Sequence, residues 1–400
     1  MSSQSSSAGS KALLNLAVGA AGVLTFVNMW CTQAILPILA SSFHVTPART
    51  GLCVTAPLVA TAMMAPAIGA ISDRFGRKRF ICGAALLLLF PSVAGALTHD
   101  FNSFILYRFI QGLMLPFIFT VTIAYIGDES TGATTVKLAG TYTSGAILGG
   151  FSGRFITGLV TSGWGWRPAF FVIAALTFAL AVLVCFILPR ERNFRPVYGL
   201  RGALHSFPLH LANPRLLGTY GVGFGMLFCL VAIFTFINFR LAAPPYLLGP
   251  AALGGIFVVY LGGVVMSPLA ARLANTFGRP RVMLAVAPCM ALGLVLTLCA
   301  PLWAIALGLL LAASGLFVQQ TLATGFIGIA AREAKSTAVG LYVTSYYIGG
   351  SAGGFVPAGI WHAYGWPGCI AIIAFMQAIM LGLALKFWKT KPAAAVQAAF

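Results

Sequence analysis

Charged residues along this chain are separated by long apolar runs. Arg79 and Asp100 enclose 20 uncharged residues, Arg49 and Asp73 enclose 23, and Arg215 and Arg240 enclose 24. Two further runs, Arg281 to Arg332 and Lys335 to Lys386, enclose 50 each. A helix that crosses a hydrocarbon core of about 30 Å needs about 20 apolar residues. A run of 50 would be about 75 Å long as one helix, so each must cross twice, with turns available at Ala300-Pro301 and between His362 and Pro367. The pattern predicts twelve helices, numbered 1 to 12 in chain order: 12–40, 50–71, 80–98, 103–125, 137–162, 168–188, 216–239, 251–271, 282–300, 303–328, 338–361 and 368–388. The runs are too long and too uniformly apolar for the alternating ten-residue segments of an outer-membrane barrel.

Composition agrees. Hydrophobic residues make up 60% of the 400 and charged ones 8%, against about 25% charged in a soluble domain. That excludes a soluble globular enzyme and a disordered chain. The net charge of +18 would suggest nucleic acid in a soluble protein, but here the basic residues fall between apolar runs. With the N-terminus inside, 19 Lys and Arg lie in cytoplasmic segments and three, Arg49, Arg167 and Arg240, in outer loops. That bias places both termini in the cytoplasm and accounts for the charge without nucleic acid. The first apolar run is too long for a cleavable signal peptide and contains Asn28 and Gln33. The eight cysteines have no CxxC spacing and read as small buried hydrophobes. With no metal-ligand spacing, P-loop or nucleophile–base constellation, the sequence suggests no cofactor, no metal and no enzyme.

The halves of the chain repeat. At an offset of 200, Gly140, Tyr142, Gly149, Gly150, Gly153, Gly165 and Trp166 match Gly340, Tyr342, Gly349, Gly350, Gly353, Gly365 and Trp366. At an offset of 202, Pro66, Phe75, Gly76, Arg77 and Arg79 match Pro268, Phe277, Gly278, Arg279 and Arg281. The organisation expected is a tail (1–11), a six-helix bundle (12–188), a basic cytoplasmic linker (189–215), a second six-helix bundle (216–388) and a tail (389–400). Two pseudo-equivalent bundles around one cavity suit alternating access.

Certain motifs resemble a known family. Gly69-Ala-Ile-Ser-Asp73-Arg74-Phe75-Gly76-Arg77-Lys78-Arg79 is similar to the loop 2–3 signature of the major facilitator superfamily. Tyr107-Arg108-Phe-Ile-Gln111-Gly112 resembles the helix 4 signature of its proton-linked exporters. Gln33-Ala-Ile-Leu-Pro37, Ala124-Tyr-Ile-Gly-Asp128-Glu129, Gly149-Gly-Phe-Ser-Gly-Arg154, Asn238-Phe-Arg240-Leu, Tyr260-Leu-Gly-Gly263 and Tyr346-Tyr-Ile-Gly-Gly350 resemble the acriflavine-sensitivity subgroup of drug and metabolite exporters. The resemblance runs from helix 1 through helix 12. It implies an all-α membrane fold of two six-helix bundles, and a gate in which Asp73 meets the start of helix 11 near Ser336–Ala338. An anion at a helix N-terminus is stabilised by about 0.3–1 kcal/mol, and Gly69 lets helices approach. Arg77 is placed to pair with Asp128 or Glu129. The expected gating set is therefore Gly69, Asp73, Gly76, Arg77, Asp128 and Glu129. The plainer reading of the basic residues is topology alone. The second copy has Asn275 in place of Asp73, so the gating expected is asymmetric.

All six acidic residues lie in loops. Two arginines lie within helices: Arg108 about 8 Å from the outer end of helix 4, and Arg154 about 26 Å from the inner end of helix 5. Such charges cost at least about 2.5–3.5 kcal/mol and usually face a cavity or pathway. The alternatives are snorkelling for Arg108 and a bond to helix carbonyls for Arg154. Other polar candidates for a substrate pathway are Asn28, Gln33, Gln111, Asn238, Gln319, Gln320, Tyr346 and Tyr347, with Trp30 and Phe119 as apolar walls; each also suits an interhelical bond or anchor. The glycines of helices 5 and 11 fit either tight packing or a sliding seam. A cavity with two arginines and no acid favours a neutral or anionic, acceptor-rich compound. The sequence thus reads as a monomeric, multi-pass transporter of a bacterial inner membrane, exporting small organic compounds, with protons as the coupling partner. Uptake or facilitated diffusion, and a non-transporting receptor on the same fold, are the alternatives.

Overall fold

The computed structural model describes residues 2–191, 208–331, 333 and 335–388; the side chains of 2–11, 67, 69–75, 133, 335 and 336 lie outside that description. Among the described residues ten helices are long and apolar enough to cross a membrane. One of them, of 51 residues, is interrupted at Gly365, where φ 61° and ψ −150° are not helical. It therefore supplies both helix 11 and helix 12. Gly132–Trp164 lies outside the ten because glycine and hydroxyl residues dilute its apolarity, and as helix 5 it completes the twelve. Helices 2, 3 and 4 end at Phe75, Leu97 and Glu129, so Asp73, Asp128 and Glu129, expected in loops, fall instead in the last turns of helices 2 and 4, and helix 7 is Pro214–Ala242. Most of the expected linker, 192–207, lies outside the described residues.

Boundaries shift where polar caps extend a helix beyond its apolar stretch. Helix 4 starts at Phe101, capped by Asp100, whose Oδ2 accepts from the Ser103 amide at 2.8 Å. Helices 1 and 8 depart from expectation by breaking. Helix 1 stops at Trp30, forms a tight 3-10 turn at Gln33–Ile35 and resumes as Leu36–Ser42. Helix 8 starts as Pro250–Gly255, passes through a 3-10 turn at Ile256–Tyr260 and continues as Leu261–Phe277. Irregular backbone at membrane depth is tolerated only when it is buried in protein or lines a cavity, and both breaks flank Arg154.

The internal repeat is structural. Gly76 and Gly278 have φ of 95° and 83°, and Gly165 and Gly365 have φ of 88° and 61°. These are two of the offset pairs at which the sequence repeats, and an L side chain there would cost about 1–2 kcal/mol. The helix 5 and helix 11 glycines divide by face. A Cβ on Gly149 would lie 2.5 Å from Val23 O, and one on Gly153 2.6 Å from Val27 O, so helix 5 packs on helix 1 backbone to backbone. Their counterparts Gly349 and Gly353 press on Phe224 and Phe228 of helix 7 in the same way. Gly158 and Gly354 instead meet the other bundle, at Pro250 and Thr55.

Among the described residues, contacts between the bundles include a set at the ends expected to be outer. A Cβ on Gly51 would meet Gly354 O at 2.7 Å, and one on Gly254 would meet Arg154 O at 2.8 Å. Thr55 Oγ1 donates to Ser351 O at 3.3 Å, and Asn238 Nδ2 donates to Gln33 O at 2.8 Å. Among the described residues the two bundles are in close contact at these ends. Below them a cavity of about 320 Å³ extends between the bundles past Thr143, Ser267 and Thr324, toward the cytoplasmic ends of helices 5, 8 and 10.

Candidate functional site

The two intramembrane arginines occupy different settings. Arg108 is 1% exposed and inside the first bundle. Its Nε donates to Cys53 O at 3.1 Å, and its terminal nitrogens to Asn28 O at 2.9 Å, Met29 O at 2.8 Å and Gln111 Oε1. Because helix 1 breaks after Trp30, the carbonyls of Asn28 and Met29 lack their helical partners, and the guanidinium replaces them. Gln111 Nε2 continues the network to Asn28 Oδ1 at 3.1 Å and Ser92 Oγ at 2.9 Å, and Asn28 Nδ2 reaches Thr177 Oγ1 at 2.9 Å. Asn28, Arg108 and Gln111 thus hold helices 1 to 4 and 6 together and lie off the cavity wall. Arg108 does not snorkel either, since its partners are buried carbonyls.

Arg154 lies at the roof of the cavity and at the junction of the two bundles. It is fully buried among the rings of Trp30, Phe257 and Tyr260, whose centroids are 4.6, 4.4 and 4.9 Å from its Cζ. Trp30 belongs to the first bundle; Phe257 and Tyr260 belong to the second. Its NH1 donates to Gly150 O at 2.6 Å, the bond to its own helix that the sequence allowed. Its Nε and NH2 both donate to Gln33 Oε1, at 2.9 and 2.6 Å. Desolvated cation–π contacts contribute about 2 kcal/mol and hydrogen bonds to charged groups about 1.5–3 kcal/mol, which together offset the burial of this cation without a carboxylate. A guanidinium has five N–H groups, and these three bonds leave two for a ligand. The Tyr260 hydroxyl is buried beside it without a protein partner.

The cavity wall is aromatic with a few polar groups. Phe26, Trp30, Tyr260, Phe317, Tyr346 and Tyr347 supply rings, and Gln320, Thr321 and Thr324 supply amide and hydroxyl groups. Gln320 Nε2 donates to Tyr346 Oη at 3.3 Å. Of the polar residues singled out in the sequence, Arg154, Gln320, Tyr346 and Tyr347 therefore line the cavity. Gln33 and Asn238 lie just outward of it, with Gln33 Nε2 donating to Thr235 Oγ1 at 3.2 Å. Gln319 points away and donates to Gln377 Oε1 at 2.7 Å; adjacent helical side chains are about 100° apart, so a pair of glutamines cannot share one face. Phe119 does not line the cavity but stacks at a tilt on Tyr347, 5.8 Å between centroids.

At the cytoplasmic end Arg77 Nε contacts Asp128 Oδ2 at 2.9 Å. The pair ties helix 3 to helix 4 within the first bundle, so it orders the loop rather than bridging the two halves. Gly76, at positive φ, leaves room for Glu191, whose Oε2 accepts from the Lys78 amide at 3.3 Å. Glu191 was not among the sequence candidates; its place at the end of helix 6 gave no signal that it would cap helix 3. The side chain of Asp73, and its expected meeting with helix 11, lie outside the described residues. Tyr260 and Phe257 were also missed as partners of Arg154, because only the break in helix 8 turns both toward it.

A family model described as Major Facilitator Superfamily matches residues 18–259. The chain is 34% identical over 372 residues to the inner membrane transport protein YnfM of Escherichia coli (strain K12), covering 92% of this chain and 88% of that protein. It is 31% identical over 377 residues to a protein of Buchnera aphidicola subsp. Schizaphis graminum described as an uncharacterized transporter, covering 94% of this chain and 91% of that one. Among solved structures, a mutant of the nucleoside transporter NupG superposes with a TM-score of 0.76 at 14% identity, covering 94% of this chain and 100% of that one. At that identity the likeness is one of fold.

Proposed function

This chain belongs to the Major Facilitator Superfamily and is a multi-pass membrane transporter, and from that premise we propose that it exports small organic compounds, neutral or anionic, across a bacterial inner membrane by proton-linked antiport. The observation that carries the proposal is Arg154: a buried cation at the roof of an aromatic cavity, neutralised by no carboxylate among its described contacts. A cationic drug would meet repulsion there, whereas an acceptor-rich or anionic solute would meet spare N–H groups in a low-dielectric setting, where such bonds are strong. The resemblance to the acriflavine-sensitivity subgroup supports export, and the charge of the cavity supports a substrate class other than that dye.

In this reading residues 12–188 and 216–388 are the rocking bodies. Gly51, Gly158, Gly254 and Gly354 form the seam between them, and Gly69, Asp73, Gly76, Arg77, Asp128 and Glu129 form the inner gate. The Arg77–Asp128 pair and the Glu191 cap fix the start of helix 3, and in this reading Asp73 meets helix 11 when the inside closes. Proton carriers in this scheme are Asp128 and Glu129 at the inner rim, Asp100 outside, or the substrate itself. The absence of a carboxylate at mid-membrane favours facilitated diffusion as the second reading.

The test is uptake of labelled benzoate and of its neutral amide into everted membrane vesicles. Export predicts accumulation when the vesicles are energised and its collapse with a protonophore. Equilibration unaffected by the protonophore favours facilitated diffusion, and accumulation in right-side-out vesicles favours uptake.

A further inference from the structure

Arg154 is bonded outward to a residue that holds the two bundles together. Its Nε and NH2 fix Gln33 Oε1, which leaves Gln33 Nε2 to donate to Thr235 Oγ1 at 3.2 Å; the main-chain carbonyl of Gln33 accepts from Asn238 Nδ2 at 2.8 Å. Thr235 and Asn238 lie on helix 7 of the other bundle, in its last two turns before the outer surface. On its inward side the same guanidinium lines the cavity, with the unpartnered Tyr260 hydroxyl beside it. In sequence along helix 1, Trp30, which lines the cavity, is one turn further in than Gln33. The order is therefore cavity, Arg154, Gln33 and helix 7.

We propose that Arg154 and Tyr260 form a carboxylate subsite at the roof of the cavity, and that its occupation releases the Gln33 latch and opens the outer side. The proposal rests on the neutral-or-anionic reading given above and narrows it to planar aromatic carboxylates. A carboxylate accepts two parallel bonds from a guanidinium and is a stronger acceptor than the single amide oxygen of Gln33. The ring of the ligand stacks among Trp30, Tyr260, Phe317 and Tyr346. A carboxylate that takes the spare hydrogens of NH1 and NH2 draws the guanidinium inward, so Gln33 loses the two charge-assisted bonds that orient its amide, and its side-chain bond to Thr235 is no longer held in place. The empty carrier keeps its outer side shut, and a carboxylate ligand is what unlocks it. A ligand that binds both states equally would shift nothing; here the exchange of partners on Arg154 supplies the difference.

The experiment is hydrogen–deuterium exchange of the full chain in nanodiscs, followed in peptides from 232–260, with benzoate, benzamide and benzylamine as probes. Loss of charge-assisted bonds of about 1.5–3 kcal/mol corresponds to at least about a tenfold change in opening. Benzoate is expected to speed exchange at the outer ends of helices 7 and 8 by that order, and benzamide by less. Gln33→Leu is expected to show the fast exchange without ligand and little further response. Gln33→Glu, which places a carboxylate on Arg154 permanently, is expected to slow exchange and to raise the benzoate needed. Tyr260→Phe is expected to raise the half-maximal benzoate concentration. Equal benzoate responses in the native protein and both Gln33 variants would overturn the latch while leaving the anion reading intact. A response to benzylamine alone would overturn the anion reading, and the subsite with it.

Discussion

Arg154 gives two hydrogen bonds to a single oxygen, Gln33 Oε1, at 2.9 and 2.6 Å. No other polar side chain accepts from this guanidinium among the described contacts, so the cation is held by an amide, a carbonyl and three rings. That arrangement keeps the positive charge available to a ligand, where a carboxylate partner would have cancelled it.

Arg154→Lys should retain more transport than Arg154→Ala. Lysine keeps the charge but loses the planar fork that stacks on the rings. The alanine variant should raise KM by at least about tenfold, since about 1.5–3 kcal/mol of charge-assisted bonding is at stake. Transport kinetics at matched expression measure this, and native KM in both variants would retire the role of Arg154 in binding.

Arg108→Leu should fail differently. It takes the guanidinium away from the carbonyls of Asn28, Met29 and Cys53, leaving Asn28 O with Cys31 Sγ and Cys53 O with Thr32 Oγ1, each at 3.4 Å, and unmade buried bonds cost about 1–3 kcal/mol each. The expected outcome is a lower Tm in detergent and poor yield, with KM little changed in the protein that survives. A selective rise in KM at native Tm would instead place Arg108 in the pathway.

Gly149→Ala should be harmful and Gly140→Ala harmless. A Cβ on Gly149 would lie 2.5 Å from Val23 O, and the obstacle is backbone that cannot move aside. A Cβ on Gly140 meets nothing within 4 Å, and alanine is favoured over glycine in a helix by about 1 kcal/mol. Thermal unfolding of the two variants should move in opposite directions.

Asp128→Asn should weaken the hold of Arg77 on helix 4, and the double exchange Arg77→Asp with Asp128→Arg should recover part of the loss. Asp73→Asn should impair transport without loss of membrane insertion. Normal rates at normal expression in Asp73→Asn would remove the gate from the account.

The cap of helix 4 has a defined pH sense. The Ser103 amide holds the exposed Asp100 carboxyl below its usual range, with desolvation opposing it and the Ser103 hydroxyl adding a smaller lowering. The folded value is depressed, so the cap stabilises fully above the ordinary carboxylate range and is lost as pH falls through the lowered value. Asp100→Asn, which still caps but does not titrate, should flatten that part of an acid-stability curve.

The number of helices and their repeat were legible because spans of about 20 residues and glycines recurring at a fixed offset are one-dimensional signals. The Gly76–Gly278 and Gly165–Gly365 pairs show this most directly. The function of each buried polar residue was less legible. Depth along a helix can be counted, and it placed Arg108 and Arg154 in the same outer half; direction around the helix cannot, and it separates a carbonyl clamp from a cavity roof. The breaks in helices 1 and 8 were also hidden, since Cys31-Thr32 and Ile256–Tyr260 are as apolar or as plain as their surroundings. Those breaks give Arg108 its carbonyls and Arg154 its rings. Gln319 and Gln320 make the same point: the sequence required a partner for each, and only the fold shows that one faces the cavity and the other Gln377.

The most direct test of the account is proton movement in liposomes that contain the purified protein and a pH-sensitive dye, under an imposed proton gradient. Anionic, neutral and cationic small molecules are offered in turn. The account predicts substrate-dependent proton flux with anions or neutral compounds, reduced in the Arg154→Ala variant. Flux with cations alone, unaffected by that substitution, would contradict it.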